Sequence, residues 1–144
     1  MKKVIIIRGD TSYYPKYSSG EYDFSVFCIL NDGEVVIIDD PFTKKINEKD
    51  CLVREIEILS NGKKGLLFNY FTDESKLIYK IITSNNNIEL EKIVLRYLNA
   101  GFKLYGHPQI ALTSSASEYE VQGYSNIDRE TTYLYSQSVI YNKD

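Results

Sequence analysis

The sequence contains no tryptophan, one methionine, one histidine and two cysteines among its 144 residues. His107 is the only imidazole, and no serine stands in a Gly-x-Ser-x-Gly motif, so no set of catalytic side chains can be recognised. The acidic pair Asp39-Asp40 has no histidine, cysteine or third carboxylate at ligand spacing, which favours a strand end over a metal site. We therefore expect no catalytic residue, no metal and no cofactor.

Long apolar runs are missing as well. The first run covers only residues 4–7, because Arg8 and Asp10 follow it, so it indicates a strand and not a signal peptide. No later run approaches the length of a membrane-spanning helix. Cys28 and Cys51 lie in separate strand-like runs, where two reduced thiols are our first interpretation and a disulfide is the alternative. These patterns predict a cytoplasmic protein without a membrane partner.

Neither sign of charge dominates the chain. The 17 basic and 20 acidic residues give a formal net charge of −3, and neither end carries a charged tail. Proteins that bind a nucleic-acid backbone present an extended basic surface to its phosphates. We therefore do not expect a nucleic-acid polymer as a partner.

The clearest local pattern is a helix that starts near residue 86 and ends before Gly101. Its apolar residues recur at helical spacing, and they are Leu90, Ile93, Val94, Tyr97 and Leu98. Asn86 or Asn87 can cap the first turn, and Gly101 can adopt the left-handed conformation that closes a helix. Strands are predicted on either side, and a Gly-His-Pro sequence at residues 106–108 should break the second one.

Most of the remaining chain has strand patterns, namely at residues 3–8, 23–30, 35–38, 51–59, 65–71, 76–82, 109–113 and 132–141. Asn-Asp-Gly-Glu at residues 31–34 predicts a hairpin turn, and residues 72–75 a further turn. Residues 9–22 and 114–132 are interpreted as loops, and residues 43–50 as a polar segment with at most one helical turn.

These patterns together predict an α+β fold. We expect an antiparallel β-meander of five to six strands over residues 1–76, followed by a β-α-β-β unit over residues 77–144. The unit contains the one main amphipathic helix, and both parts should pack as one compact domain.

Tyrosine is abundant, with 13 residues, and four of them lie in the predicted loop at residues 9–22. Tyrosine serves strand surfaces and interfaces as well as base stacking, so a structural role is the alternative to ligand binding. A nucleotide-type ligand needs aromatic faces for its base and a cation for its phosphate, and arginine meets phosphate with two donors. Arg54 and Arg96 are further cations, but Arg96 should lie on the exposed helix face. The candidate ligand-binding residues are Arg8, Tyr13, Tyr14, Tyr17, Tyr105, His107 and Arg129.

Residues from about 77 to 141 resemble a small uncharacterised domain family of bacteria and phages. The resemblance rests on a Leu/Val-patterned helix, a Gly-aromatic pair at Gly101-Phe102, the Gly-His-Pro turn, and Gln137-Ser138-Val139-Ile140 in the last strand. The family usually has tryptophan in place of Phe102 and alanine in place of Ser138. The resemblance implies no activity.

In size, composition and aromatic loops the chain also resembles phage anti-defence proteins of the sponge type. These are α+β oligomers that sequester nucleotide signals, such as cyclic ADP-ribose variants, without cleaving them. That resemblance implies a non-enzymatic protein that binds a small nucleotide-derived signalling molecule, as a homo-oligomer. The alternative is a protein-interaction or inhibitor module that acts through the tyrosine-rich strands. A third hypothesis is a weak nucleotide hydrolase that depends on His107.

Overall fold

A computed structural model describes residues 2–68, 76–121 and 124–143, and the side chains of these residues except 113–121 and 124–132. The elements in chain order are β1 (Lys3–Ile6), β2 (Thr11–Pro15), β3 (Cys28–Leu30), β4 (Val35–Ile38), β5 (Phe42–Ile46), β6 (Lys49–Ile58), β7 (Lys64–Phe68), β8 (Leu77–Ser84), α1 (Asn87–Asn99), β9 (Lys103–Val121) and β10 (Tyr124–Asn142). The predicted α+β class is therefore confirmed.

Strands β1 to β7 form one antiparallel sheet in the order β1-β4-β6-β7-β2-β3, and β5 also pairs with β6. The sheet is not the predicted meander, because β1 pairs with β4 and β2 pairs with β7. Because β2 and β7 are distant in sequence, their pairing brings Tyr13 and Tyr14 of β2 beside β7. That placement brings together the residues of the site described below.

The unbroken apolar runs of β1 and β4 reflect burial on both faces of the sheet. Val4 and Val35 belong to a cluster shared with α1 and the second sheet, whereas Ile5 and Val36 belong to a cluster on the opposite face. Successive side chains of a strand point to opposite faces, so both must be apolar when both are covered.

Two segments of the first sheet differ from the sequence prediction. Residues 9–22, predicted as a loop, contain β2, and a bridge between Lys16 and Tyr22 returns the chain beside it. The strand predicted at residues 23–30 is reduced to β3. The Asp23 carboxylate accepts a hydrogen bond from the Ser25 N–H at 2.9 Å, and this local turn competes with strand pairing.

The turn at residues 31–34 exists, but it does not pair β3 with β4 as a hairpin. Gly33 has a φ of 85°, but the φ of Asp32 is not positive, so the turn lacks the second positive φ that a type I′ hairpin turn requires. In addition, the Ile7 N–H donates to the Glu34 carbonyl oxygen at 2.8 Å, and the Gly33 N–H donates to the Ile7 carbonyl oxygen at 2.7 Å. The turn is therefore bonded to the end of the first strand segment, and β4 pairs with β1 and β6 instead.

Residues 43–50 form the β5–β6 hairpin and not the polar segment that we predicted. Asn47 and Glu48 both have positive φ, 50° and 66°, which suits the two central residues of a tight hairpin turn. The strand predicted at residues 65–71 is β7 as far as Phe68. Its last residues, and the turn predicted at residues 72–75, lie outside the described residues.

Helix α1 has the ends that its sequence predicts. Asn86 Oδ1 accepts from the N–H groups of Ile88 and Glu89, at 2.8 and 3.2 Å. At the other end Gly101 has a φ of 105°, and the Phe102 N–H donates to the Tyr97 carbonyl oxygen at 3.1 Å. These bonds satisfy backbone groups that a helix leaves unpaired at its ends.

The second sheet has the order β8-β10-β9. The loop prediction for residues 114–132 is wrong, because the β9–β10 pairing continues through this region as far as the pair Val121–Tyr124. Beyond the end of β8, from the pair Ala111–Leu134 outward, β9 and β10 make eleven residue pairs with each other. We call this two-stranded part the ribbon; at about 3.3 Å per residue it is roughly 35 Å long.

The predicted break at residues 106–108 is a bulge inside β9. The pairing shifts between Ser136–Gln109 and Ser138–Tyr105, so three residues of β9 lie opposite Gln137 alone. Gln137 is buried, and its Nε2 donates to the carbonyl oxygens of Gly106 and Ser138 at 3.3 and 2.9 Å. The buried amide therefore replaces the backbone bonds that the bulge interrupts.

Candidate functional site

A groove of about 650 Å³ opens where the end of β2 meets the turn between β6 and β7. We call it the lysine–tyrosine groove. Its lining consists of three lysines, two tyrosines, a cysteine and small residues, which are Tyr13, Pro15, Lys16, Tyr17, Ser18, Gly20, Cys28, Gly62, Lys63 and Lys64. None of these described lining residues is acidic.

The close approach of β2 to β7 depends on Gly65. Gly65 pairs with Pro15, and the Lys16 N–H donates to the Lys64 carbonyl oxygen at 3.0 Å. A Cβ on Gly65 would lie 2.3 Å from the Tyr14 carbonyl oxygen and 2.5 Å from Tyr13 Cδ2. Glycine at this position therefore allows the two lysine-bearing segments to share one groove.

Lys16 is held in the groove by a carboxylate outside the lining. Its ammonium donates to Glu55 Oε1 at 2.8 Å, and the Tyr22 hydroxyl donates to Glu55 Oε2 at 3.0 Å. The bond from Lys16 lowers the pKa of the Glu55 carboxyl, and the same bond raises the pKa of the Lys16 amine. Since Glu55 offsets its charge, Lys16 shapes the wall more than it adds to the positive field.

Tyr17 offers an aromatic surface at the rim. Its side chain is 53% exposed, while its hydroxyl hydrogen-bonds to the Asp23 carboxylate. The pKa of the Asp23 carboxyl is lowered, first by its bond from the Ser25 hydroxyl and then by the bond from Tyr17. A backbone bond from the Tyr17 N–H to the Glu21 carbonyl oxygen, at 2.7 Å, fixes the same residue from the other side. The ring is thus held in place but remains accessible for stacking.

Lys63 and Lys64 follow a tight turn and are both exposed. Gly62 has a φ of 72°, and its N–H donates to the Ile58 carbonyl oxygen at 2.7 Å. The Lys63 N–H donates to the Asn61 side chain at 2.9 Å. Lys63 makes no ion pair within the part of the chain that the structure describes, so its charge is available to a ligand. Lys64 lies near Glu55, since the pKa of that carboxyl is lowered first by the bond from Lys16 and also by the charge of Lys64, so the charge of Lys64 is partly offset.

The side chain of Arg96, in helix α1, donates hydrogen bonds to this turn. Its Nε donates to the Leu59 carbonyl oxygen at 2.8 Å and its second guanidinium nitrogen to the Ser60 carbonyl oxygen at 3.0 Å. Its Cδ lies 3.3 Å from where a Cβ on Gly62 would stand. The prediction that Arg96 is an exposed surface residue is therefore wrong. Its guanidinium caps a turn of the first sheet.

The groove places the ammonium groups of its lysines and the accessible ring of Tyr17 around one cavity. Ammonium groups bind phosphate oxygens as point charges, and a tyrosine face stacks on a planar base. A volume of about 650 Å³ lies within the range of small-molecule and cofactor sites. The arrangement suits an anionic ligand with a planar group.

Of the seven predicted ligand-binding residues, the structure brings Tyr13 and Tyr17 to this groove. Tyr13 is only 5% exposed, so its ring forms the floor of the groove and offers no free face for stacking. Burial is also the main reason why the pKa of its hydroxyl is raised. Tyr14 points to the opposite side of β2, where it packs against Phe24, Phe27 and Phe68 at centroid distances of 5.2, 4.7 and 5.6 Å. Tyr14 therefore belongs to the hydrophobic core.

The other four candidates lie elsewhere. Arg8 is exposed just after β1 and does not line the groove. Tyr105 is 55% exposed on β9, edge-on to Tyr79 at 5.6 Å, and His107 is exposed in the β9 bulge. The backbone of Arg129 pairs with that of Ala116 in the ribbon, and its side chain is not among those that the structure describes.

The lysines are the residues that sequence reasoning missed. Only arginines were predicted as phosphate contacts, because the Gly-Lys-Lys sequence at residues 62–64 lacks the spacing of a phosphate-binding loop. The local signal was a Gly-Lys-Lys turn, but only the β2–β7 pairing shows that Lys16 and the aromatic segment lie beside it.

About a third of the chain is similar to a known family of domains. Residues 76–121 match the family of a domain of unknown function, DUF1737. The match covers β8, α1 and β9. It fits the resemblance to a small uncharacterised domain family, although the last-strand features of that resemblance, at residues 137–140, lie beyond the match. Nothing links the DUF1737 segment to nucleotide-sequestering sponge proteins. Neither the curated proteins nor the solved structures gave a match.

The lysine–tyrosine groove lies outside the DUF1737 segment, since its lining residues fall between positions 13 and 64. Across the described ranges, no three His, Cys, Asp or Glu side chains come together as metal ligands. In those ranges no helix is both long enough and apolar enough to cross a bilayer. The free thiols Cys28 and Cys51 are both half-buried.

Proposed function

We propose that this protein binds a small phosphate-bearing ligand of the nucleotide type in the lysine–tyrosine groove and holds it without converting it. The observation that supports the proposal is the convergence of Lys63, Lys64 and the Tyr17 ring on one groove without an acidic lining residue. Sequestration of a nucleotide-derived signal, as in phage counter-defence, is the biological role that we propose for such binding.

The three side chains have separate roles in this proposal. Lys63 and Lys64 contact the phosphate oxygens, because both lysines are exposed where they line the groove and an ammonium group forms strong charge-assisted hydrogen bonds with phosphate. The Tyr17 ring stacks on the base, since its hydroxyl is fixed by Asp23 while its face is exposed. None of the groove lining offers an activated nucleophile with an adjacent base, which favours binding over turnover.

The proposal is tested by calorimetry and native mass spectrometry against a panel of cyclic nucleotides, ADP-ribose and its cyclic forms. We expect one panel member to bind and to be recovered with unchanged mass. Lys63→Ala and Lys64→Ala should each weaken binding about 10- to 150-fold, since a charge-assisted hydrogen bond contributes about 1.5–3 kcal/mol. Affinity should fall as salt is raised.

Lys45→Ala is the matched control, because Lys45 is an exposed lysine of β5 that does not line the groove. Tyr17→Phe keeps the ring and Tyr17→Ala removes it, so only the second should abolish stacking. Binding that Lys63→Ala and Lys64→Ala leave unchanged would contradict the proposal, as would a panel without a single binder. A ligand recovered with altered mass would make the protein an enzyme.

A second candidate function, a protein-interaction module, is favoured by the outer face of the second sheet. On this face Leu77, Tyr79, Ile81 and Tyr105 are between 49% and 57% exposed. Exposed apolar patches of this kind are typical of interaction surfaces. If this function is the right one, Ile81→Glu should abolish the capture of one defined partner, whereas Lys63→Ala should have no effect.

A further inference from the structure

Glu55 lies outside the lining of the lysine–tyrosine groove and offsets the charge of two of its three lysines. Its Oε1 accepts a hydrogen bond from the Lys16 ammonium at 2.8 Å. Glu55 and Lys64 line a separate small cavity of about 50 Å³. The pKa of the Glu55 carboxyl is lowered first by the bond from Lys16 and also by the charge of Lys64. The positive field of the groove is therefore weaker than that of three isolated lysines.

The carboxylate of Glu55 is held in one position. The Tyr22 hydroxyl donates to Oε2 at 3.0 Å, so each carboxylate oxygen has its own donor. The Lys16 ammonium also lies 5.3 Å from the centroid of the Tyr22 ring. Hydrogen bonds to an ionised acceptor are roughly twice as strong as those between neutral groups. Glu55 would lose both bonds if it turned away, so its negative charge is a fixed part of the surroundings of the groove.

A second carboxylate lies beside Lys64. Glu57 is the residue opposite Lys64 in the pairing of β6 with β7, and opposite charges at such cross-strand positions attract each other. Lys63, in contrast, forms no ion pair with any residue that the structure describes. The groove thus offers one full positive charge, from Lys63, and two that neighbouring carboxylates partly offset.

This balance of charges distinguishes between two kinds of phosphate. A phosphate diester carries one negative charge, whereas a terminal phosphate group carries nearly two at about pH 8, because its second pKa is about 6. The energy between two charges is proportional to each of them, so Glu55 repels a terminal phosphate about twice as strongly as a diester. Like charges that face each other across a binding site oppose binding and thereby give specificity.

We propose that Glu55 determines which phosphate the lysine–tyrosine groove accepts, and that the groove takes a phosphate diester in preference to a terminal phosphate group. This inference rests on the proposed function, because it requires that the groove binds phosphate. Glu55 does not line the groove, so it acts through Lys16 and through its own negative charge. It is a positioning residue that sets specificity.

The test compares two probes with the same base, cyclic adenosine monophosphate as the diester and adenosine monophosphate as the terminal phosphate. Stacking on Tyr17 does not depend on the identity of the base, so an adenine pair serves whatever base the natural ligand carries. Calorimetry at about pH 8 gives both affinities for the full chain. We expect the wild-type protein to bind the cyclic probe more tightly, although this probe carries less negative charge.

Glu55→Gln should reverse this preference. Removal of one negative charge should tighten binding of the cyclic probe about threefold and of the terminal phosphate about ninefold, since the gain in free energy is proportional to the charge of the ligand. Lys16→Ala in the Glu55→Gln background should remove most of the gain. Glu55→Asp keeps the negative charge and should keep the wild-type preference. Circular dichroism verifies that each variant is folded at the temperature of the titration.

Glu89→Gln is the matched control. Glu89 is an exposed carboxylate of helix α1 that lies 3.7 Å from the Lys92 ammonium and does not line the groove, so its removal should change neither affinity. A probe that Lys63→Ala releases, but whose preference Glu55→Gln leaves unchanged, would overturn the inference and leave the proposed function intact. Failure of both probes to bind both wild type and Glu55→Gln would also overturn the inference, whereas the proposed function is decided by its own ligand panel.

Discussion

Arg96 donates a hydrogen bond from Nε to the carbonyl oxygen of Leu59 at 2.8 Å, and this contact joins helix α1 to the first sheet at the turn that carries the groove lysines. The same guanidinium also reaches the Ser60 carbonyl oxygen. A planar guanidinium can satisfy two neighbouring carbonyls at once, whereas a lysine cannot match that geometry. Arg96 lies within residues 76–121, so the segment that matches DUF1737 supports the lysine-bearing turn of the candidate groove, whose lining lies outside that segment.

Replacement of Arg96 by methionine should destabilise the protein by about 1–3 kcal/mol, because two part-buried carbonyl oxygens lose their donors. Urea unfolding followed by circular dichroism measures this loss. Lys92→Met, at an exposed position of the same helix, is the control and should change stability by less than about 0.5 kcal/mol. Equal stability of Arg96→Met and wild type would show that the two bonds contribute nothing net.

Gly65→Ala should destabilise the protein by about 1–3 kcal/mol and also weaken ligand binding. The added methyl group would overlap the Tyr14 carbonyl oxygen, which lies 2.3 Å away, so β2 has to move from β7. Thermal unfolding gives the stability, and the affinity for the identified ligand reports the groove. Ser18→Ala, at an exposed lining position, should leave stability unchanged. A fully stable Gly65→Ala protein would contradict the close approach of the two strands.

Glu55→Gln should lower stability at neutral pH by about 0.5–1 kcal/mol, a small value because solvent screens a carboxylate that is 38% exposed. The folded-state pKa of Glu55 lies below its ordinary value of 4.5, so its contribution is present above that value and is lost as the pH falls through the folded pKa. The pKa of Lys16 is raised above 10.5, so its contribution is present below 10.5 and is lost at higher pH.

The stability difference between Glu55→Gln and wild type should therefore be greatest between about pH 5 and 10 and should decrease steadily as the pH falls below 4.5. Urea titrations at several pH values measure it, and Lys16→Met completes a double-mutant cycle. A difference that persists unchanged at pH 3 would indicate that the ion pair is not its cause.

Tyr97→Phe should make the alkaline loss of stability less steep. Burial, helped by the charge of Glu34, raises the pKa of the Tyr97 hydroxyl from 10.0 to about 12. A raised folded-state pKa means that its contribution is complete below pH 10 and is lost between pH 10 and 12, by up to about 2–3 kcal/mol. Stability measured from pH 8 to 12 tests this. Tyr105→Phe alters a half-exposed ring and should follow the wild-type curve; a Tyr97→Phe curve that does so as well would contradict the assignment.

Local sequence signals predicted the elements whose hydrogen bonds are local. Helix α1 and both of its ends follow from Asn86, the spacing of Leu90 and Tyr97, and Gly101, because every bond involved spans at most five residues. At residues 31–34 the local signal predicted a turn but not its pairing, because the turn is hydrogen-bonded to Ile7 and not to a neighbouring strand. The prediction of a loop at residues 114–132 was wrong because these residues are polar, and the polar pattern gives no sign of the pairing between β9 and β10 that makes them strands.

The sequence by itself determined the α+β class, the position and ends of the helix, and a tyrosine-rich segment at residues 9–22, since these depend on spacing and on neighbours along the chain. The tertiary structure alone decided that Tyr13 lines the groove while the adjacent Tyr14 packs in the core, because alternate side chains of β2 meet different surroundings. It also decided that Lys16 shares one groove with Lys63 and Lys64. Their convergence depends on the pairing of β2 with β7, which no pattern of nearby residues encodes.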